Sequence, residues 1–116
     1  MPKYLIAATY TTEGHKGLLW DSGTKRREAA EQAIKSVGGT MDAFYFAFGG
    51  VDAYVIVDAP DHATVAAASV AINASEAVRA ETVVLLTAAE MDIAIKKNVT
   101  YRAPGNQAPT DPSFKA

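Results

Sequence analysis

The chain has no cysteine, and that absence removes disulfides, thiolate nucleophiles, iron–sulfur clusters and cysteine zinc sites at once. Histidine is scarce: His15 and His62 stand far apart and neither belongs to a close-spaced ligand pair, so no metal site is expected. No glycine-rich phosphate loop of the P-loop or dinucleotide type occurs, and no cofactor is implied. An excess of positive charge is missing as well. Lys and Arg number 11 against 13 Asp and Glu, a net charge of −2. The bases are scattered apart from Lys25, Arg26 and Arg27, a run that reads as a solvated helix face, so no nucleic-acid partner is expected. The apolar runs are too short to cross a bilayer, and no membrane partner is expected. The opening MPKYLIAATYTT lacks the charged region, long apolar region and cleavage site of a secretion signal, which makes the cytoplasm the expected location.

What is present is an ordinary globular composition, 49% hydrophobic and 21% charged over 116 residues, enough for one domain with its own core. Lys3 to Tyr10 reads as a strand running into a loop made of Glu13, Gly14, His15, Lys16 and Gly17. Ala29, Ala30, Ala33, Ile34 and Val37 recur at helical spacing and predict a first helix from about Ser22 to Val37, ended by Gly38 and Gly39. Thr40 to Phe48 and Val51 to Val57 read as a hairpin joined at Gly49 and Gly50. Asp61 is positioned to cap a second, alanine-rich helix over Ala63 to Ala74. Ala77 to Leu86 reads as a last strand. Thr87, Ala88, Ala89 and Glu90 form a capping box that opens a short helix reaching about Lys97. Residues 1–97 then form the domain, and 98–116, with three prolines, an irregular tail.

The order βαββαβ is that of an α+β, ferredoxin-like fold: an antiparallel four-stranded sheet with both helices on one face. The stretch FYFAFGGVDAYVIV leaves neither face of such a sheet polar. Side chains alternate along a strand, so Phe44, Phe46 and Phe48 point one way and Ala43, Tyr45 and Ala47 the other. The phenylalanines match the small residues of the helices in volume and are expected beneath them. The other face would form an apolar patch larger than soluble monomers usually expose. A second copy of the chain is its simplest cover, and a homodimer built sheet to sheet, or a higher homo-oligomer, is expected.

TYTTEGHKGLL, Thr24 to Arg27, GGTMDAFYFAFGGVDAYVIVDAPD, the alanine-rich helix with Asn73, and TVVLLTAAEMD together resemble the GYD domain family of small bacterial proteins over residues 3 to 96. Where the family signature reads Gly-Tyr-Asp, this chain has Gly50, Val51 and Asp52. The resemblance implies a ferredoxin-like fold of the dimeric α/β barrel kind and says little about activity.

The candidate catalytic residues are His15 and Asp52. Histidine takes and returns a proton near neutral pH, and flanking glycines would let His15 reach a substrate. Asp52 interrupts an apolar strand, so its carboxylate must accept backbone N–H bonds, meet an arginine, or face a pocket. Tyr10, Trp20 and Tyr45 are candidate ligand-binding walls, or else core and dimer contacts. Asn73 could donate to a ligand or end its helix. Two functions follow from these residues. One is a homo-oligomeric barrel that binds a small, partly apolar organic molecule, with cofactor-free acid/base chemistry at His15 and Asp52 where it is an enzyme. The other is an assembly module whose apolar face serves self-association alone.

Overall fold

A computed structural model describes residues 1–105. The chain divides into two compact units, Met1–Leu85 and Leu86–Ala116. In the first, β1 (Lys3–Tyr10), α1 (Thr12–Asp21), α2 (Gly23–Ser36), β2 (Thr40–Phe46), β3 (Ala53–Asp58), α3 (His62–Ala74) and β4 (Val78–Leu85) follow in order. The strands form one antiparallel sheet in the order β2-β3-β1-β4. This is the ferredoxin-like α+β topology expected from the sequence.

The central strand β1 alternates half-buried and buried residues along its whole length. Tyr4, Ile6, Ala8 and Tyr10 face the core, and the register places Val57, Val55 and Ala53 of β3 on the same side. Ile34 of α2 and Val65 of α3 close over them, which puts these two helices on one face of the sheet. Phe44 packs against this core, as its alternation predicted, and its ring meets Phe46 edge-on at 5.0 Å. Met41 would point the other way in a regular strand. A bulge between Met41 and Ala43 restores it to the buried side, opposite Val57.

The opposite face carries Leu5, Ala7, Tyr45, Tyr54, Ile56, Val83 and Leu85 by the same register. Tyr45 and Tyr54 are direct cross-strand partners, 72% and 42% exposed. One corner is polar: Lys3 Nζ reaches Asp42 at 2.7 Å and Asp58 at 3.0 Å, and these hydrogen bonds hold its ammonium above the ordinary lysine range.

Three local expectations need correction. Residues 13–17 are not a loop but the body of α1. Thr11 caps that helix by accepting from Gly14 N and donating to Glu76 O at 2.8 Å. Gly14 lies so close to β4 that an added Cβ would stand 2.0 Å from the Ala77 carbonyl oxygen. The glycine there serves close approach, not flexibility. Second, β2 ends at Phe46, and Phe48 lies beyond it, fully exposed. Third, Asn73 lies in the last turn of α3 and does not cap it, and its exposed side chain is engaged within the fold. Its amide accepts from Ala80 N at 2.8 Å and donates to Ser69 O at 2.9 Å, tying the helix to β4.

Other boundaries agree. Gly38 follows α2 in a left-handed conformation at φ 85°. Asp61 caps α3, accepting from the hydroxyl and backbone N–H of Thr64 at 2.7 and 2.8 Å. In the second unit α4 (Ala88–Ile95) opens on the expected Thr87–Glu90 capping box, whose hydrogen bonds hold the Glu90 carboxyl below its ordinary range. Residues 98–105 hold no helix or strand, and the rest of the expected tail lies outside the described residues.

Gly14→Ala is expected to destabilise the protein by about 3 kcal/mol, because the added methyl drives backbone against backbone. Urea unfolding measures this, and an unchanged midpoint would mean that α1 does not rest on Ala77. The Thr64 bonds hold the Asp61 carboxyl below its ordinary range, so its contribution is complete above the unfolded carboxylate value and lost as pH falls through the lower folded value. Asp61→Ala should therefore lower Tm at neutral pH, with the gap to the parent closing only in acid; Asp61→Asn should keep most of the cap.

Candidate functional site

Helix α1 brings three of the sequence candidates together. Asp52 precedes β3 by one residue and continues its pairing: its N–H donates to Ala8 O at 2.9 Å and its carbonyl accepts from Ala47 N at 2.7 Å. At Tyr10 the main chain of β3 has run out, and the Asp52 carboxylate takes over by accepting Tyr10 N–H at 2.7 Å. His15 stands one turn into α1 with its ring edge-on to Tyr10, centroids 5.8 Å apart. Its Nε2 lies 3.6 Å from Asp52 Oδ1, with the imidazole 54% and the carboxylate 18% exposed.

The contacts of His15 define its tautomer. Nδ1 is 3.0 Å from the Thr11 carbonyl oxygen, which can only accept, so Nδ1 carries a proton. That leaves Nε2 as the nitrogen open to another partner. The 3.6 Å gap to Asp52 is too long for a hydrogen bond and leaves a polar atom of a ligand room to bridge the two. His62, the other histidine, is bonded through Nδ1 to the hydroxyl of buried Tyr4 at 2.6 Å. Burial pushes that phenol up, with the Asp61 carboxylate adding to the shift.

An apolar cavity borders the same Tyr10 on another side. It occupies about 130 Å³ between the sheet and helices α2 and α3. Ala29, Ala30 and Ala33 of α2 face Ala8, Ala53 and Ala80 of the sheet, with Ile6, Tyr10, Phe44, Val55, Ile72 and Val78 around them. Its origin is a shortage of volume. Alanine opposite alanine cannot fill the gap that the larger side chains hold open. Arg26 is the charged residue of this lining.

Tyr10 is thus on the cavity wall, and His15 and Asp52 flank it without lining the cavity themselves. Trp20 is 89% exposed on α1 and Tyr45 lies on the open sheet face; neither lines the cavity. The residue that sequence reading missed is Arg26. It belongs to the run taken as a solvated face, yet it is half-buried while Lys25 and Arg27 are exposed. The signal was its spacing: Arg26, Ala29, Ala30 and Ala33 form one helical stripe. Among the described residues no group of three or more His, Asp or Glu could hold a metal ion, and no helix is long and apolar enough to cross a membrane.

The fold and cavity define a small ferredoxin-like α+β protein with an apolar internal pocket. A family model, that of the GYD domain, matches residues 4–95, and the chain belongs to the GYD domain family. No curated protein and no solved structure matches the chain. The third position of the family's signature is here Asp52, the residue that fastens β1 to the β2–β3 hairpin.

Asp52→Ala should cost about 2 kcal/mol in urea unfolding, since it strips a charged acceptor from Tyr10 N–H. Asp52→Asn keeps an acceptor oxygen and should cost well under half of that. His15→Ala should change stability by no more than about 0.5 kcal/mol. A larger loss would make the histidine a structural group.

Proposed function

We propose that the protein is a cytoplasmic homodimer that binds a small, partly apolar organic molecule in the alanine-lined cavity between its sheet and helices α2 and α3. The observation that carries this reading is the cavity: a partly open apolar space with a phenol and a guanidinium on its wall is the usual composition of a small-molecule site. The His15–Asp52 pair beside Tyr10 would supply acid/base chemistry if the ligand is transformed. A ligand group placed between Nε2 and Oδ1 would exchange its proton with Nε2, while Asp52 stabilises the imidazolium that results.

The dimer rests on the open sheet face, where Leu5, Ile56, Val83 and the Tyr45–Tyr54 pair stand together. Two such faces packed together bury on the order of 1,600 Å², the scale of a stable interface. That same face supports the alternative reading, an assembly module with no ligand.

Native mass spectrometry of protein purified gently from its host separates the two. The binding reading expects a dimer, or a multiple of it, with a reproducible extra mass that disappears in Ala33→Leu, whose added side chain fills the cavity. A bare dimer favours the assembly module, an extra mass that survives in Ala33→Leu places the ligand elsewhere, and a monomer overturns the interface.

A further inference from the structure

We infer that the cavity ligand is a small monocarboxylic acid, its apolar body among the alanines and its carboxylate on Arg26. The inference rests on the binding reading of the cavity and adds the chemical class of what fills it.

The body follows from size. A cavity of about 130 Å³ is close to the roughly 150 Å³ of an engineered apolar cavity that takes up benzene. One six-membered ring, or a branched chain of similar bulk, would fill it. The rest of the molecule must reach outward.

The head group follows from Arg26. A guanidinium offers five N–H donors in a planar fork matched to a carboxylate. Arg26 Nη1 stands 3.7 Å from Asp21 Oδ2, beyond hydrogen-bond reach, and the Arg26 side chain is 34% and that of Asp21 39% exposed. Among the described residues, no hydrogen bond occupies the fork. Arg26 also lines a second, smaller depression of about 90 Å³ beside α1, and shares with it Tyr10 and Val78. These shared residues mark where the cavity meets the outside, and there a carboxylate keeps part of its hydration while its body is buried. Glu13, ion-paired with Lys16 at 3.8 Å, lines that outer depression, and among the described residues Arg26 is the single cation of the two linings, one positive charge for one carboxylate. The class is therefore a monoacid.

The backbone at this corner is strained. Ser22, which joins α1 to α2, has φ 102° and ψ 161°, a region that side chains other than glycine seldom occupy. The strained joint holds the first turn of α2 against the end of α1, with Ser22 O accepting Arg26 N–H at 3.2 Å. Strain of this kind is retained where position matters, and the residue positioned here is Arg26.

The test is calorimetric titration of the purified protein with benzoate, and with benzamide as its neutral isostere, on the parent, Arg26→Met and Arg27→Met. The expected result is benzoate binding at least about tenfold tighter than benzamide to the parent. Arg26→Met should lose that preference while still binding benzamide, and Arg27→Met, which changes a neighbouring exposed cation, should keep it. Equal binding of the two probes, or a benzoate preference that survives in Arg26→Met or is lost equally in Arg27→Met, overturns the carboxylate inference and leaves the binding reading standing. Binding of neither probe to a parent whose thermal transition is intact overturns both. Loss of benzoate binding by an unfolded Arg26→Met would leave Arg26→Lys to decide: it keeps the charge without the fork and should bind benzoate more weakly than the parent, and parent-like affinity would overturn the fork.

Discussion

Everything in the first unit depends on the alternation of β1. This strand pairs with β3 on one side and β4 on the other, so its two-residue period sets which side chains of three strands share a face. A slip of one residue would send Tyr4, Ile6 and Tyr10 to the open side and leave Ile34 and Val65 with nothing to cover. Asp52 guards against that slip at the end of the strand. Its backbone and carboxylate together bond to Ala8 and Tyr10 of β1 and to Ala47 just after β2, both sides of the register it enforces. A carboxylate that first looks like a catalytic base is therefore also the pin of the hairpin, and its partial burial follows from that work.

The second constraint is volume. Helix α2 turns Ala29, Ala30 and Ala33 toward the sheet, and short side chains let a helix sit low on a sheet. Where the sheet is alanine too, no side chain reaches across, while Phe44, Ile72 and Tyr10 keep the layers apart around the gap. Removing larger residues from a close-packed core costs stability, so a cavity of this size is a standing cost to the fold.

Element type and order were legible because each signal was local: the alternation of β1, the caps at Asp61 and Thr87, Gly38 after α2. What could not be read was always a contact between distant residues. Gly14 and Gly17 argue for a loop in isolation, and only the Ala77 carbonyl, more than sixty residues away, explains why one of them is needed inside a helix. The bulge that turns Met41 inward leaves no mark on the sequence beyond an odd spacing to Phe44. Of the candidate residues, His15, Asp52 and Tyr10 do meet, whereas Trp20 and Tyr45 fall on separate outer surfaces. Arg26 was hidden by its neighbours. Charge was read along the chain, where three bases are adjacent, and not around the helix, where the middle one alone joins the alanine stripe.

The position of His15 limits the chemistry that this protein can perform. In a catalytic dyad a carboxylate usually fixes one imidazole nitrogen and leaves the other to the substrate. Here the Thr11 carbonyl does the fixing, through Nδ1, and the carboxylate stands on the same side as the reactive nitrogen. Asp52 thus stands beside the open Nε2, and it cannot orient the ring. Tyr10 separates this pair from the cavity, since its ring borders both. Arg26 lies on the cavity side of Tyr10, beside the same ring. His15 and Asp52 therefore stand outside both the cavity and the depression beside α1, and the two polar groupings, the His15–Asp52 pair and Arg26, meet only through Tyr10.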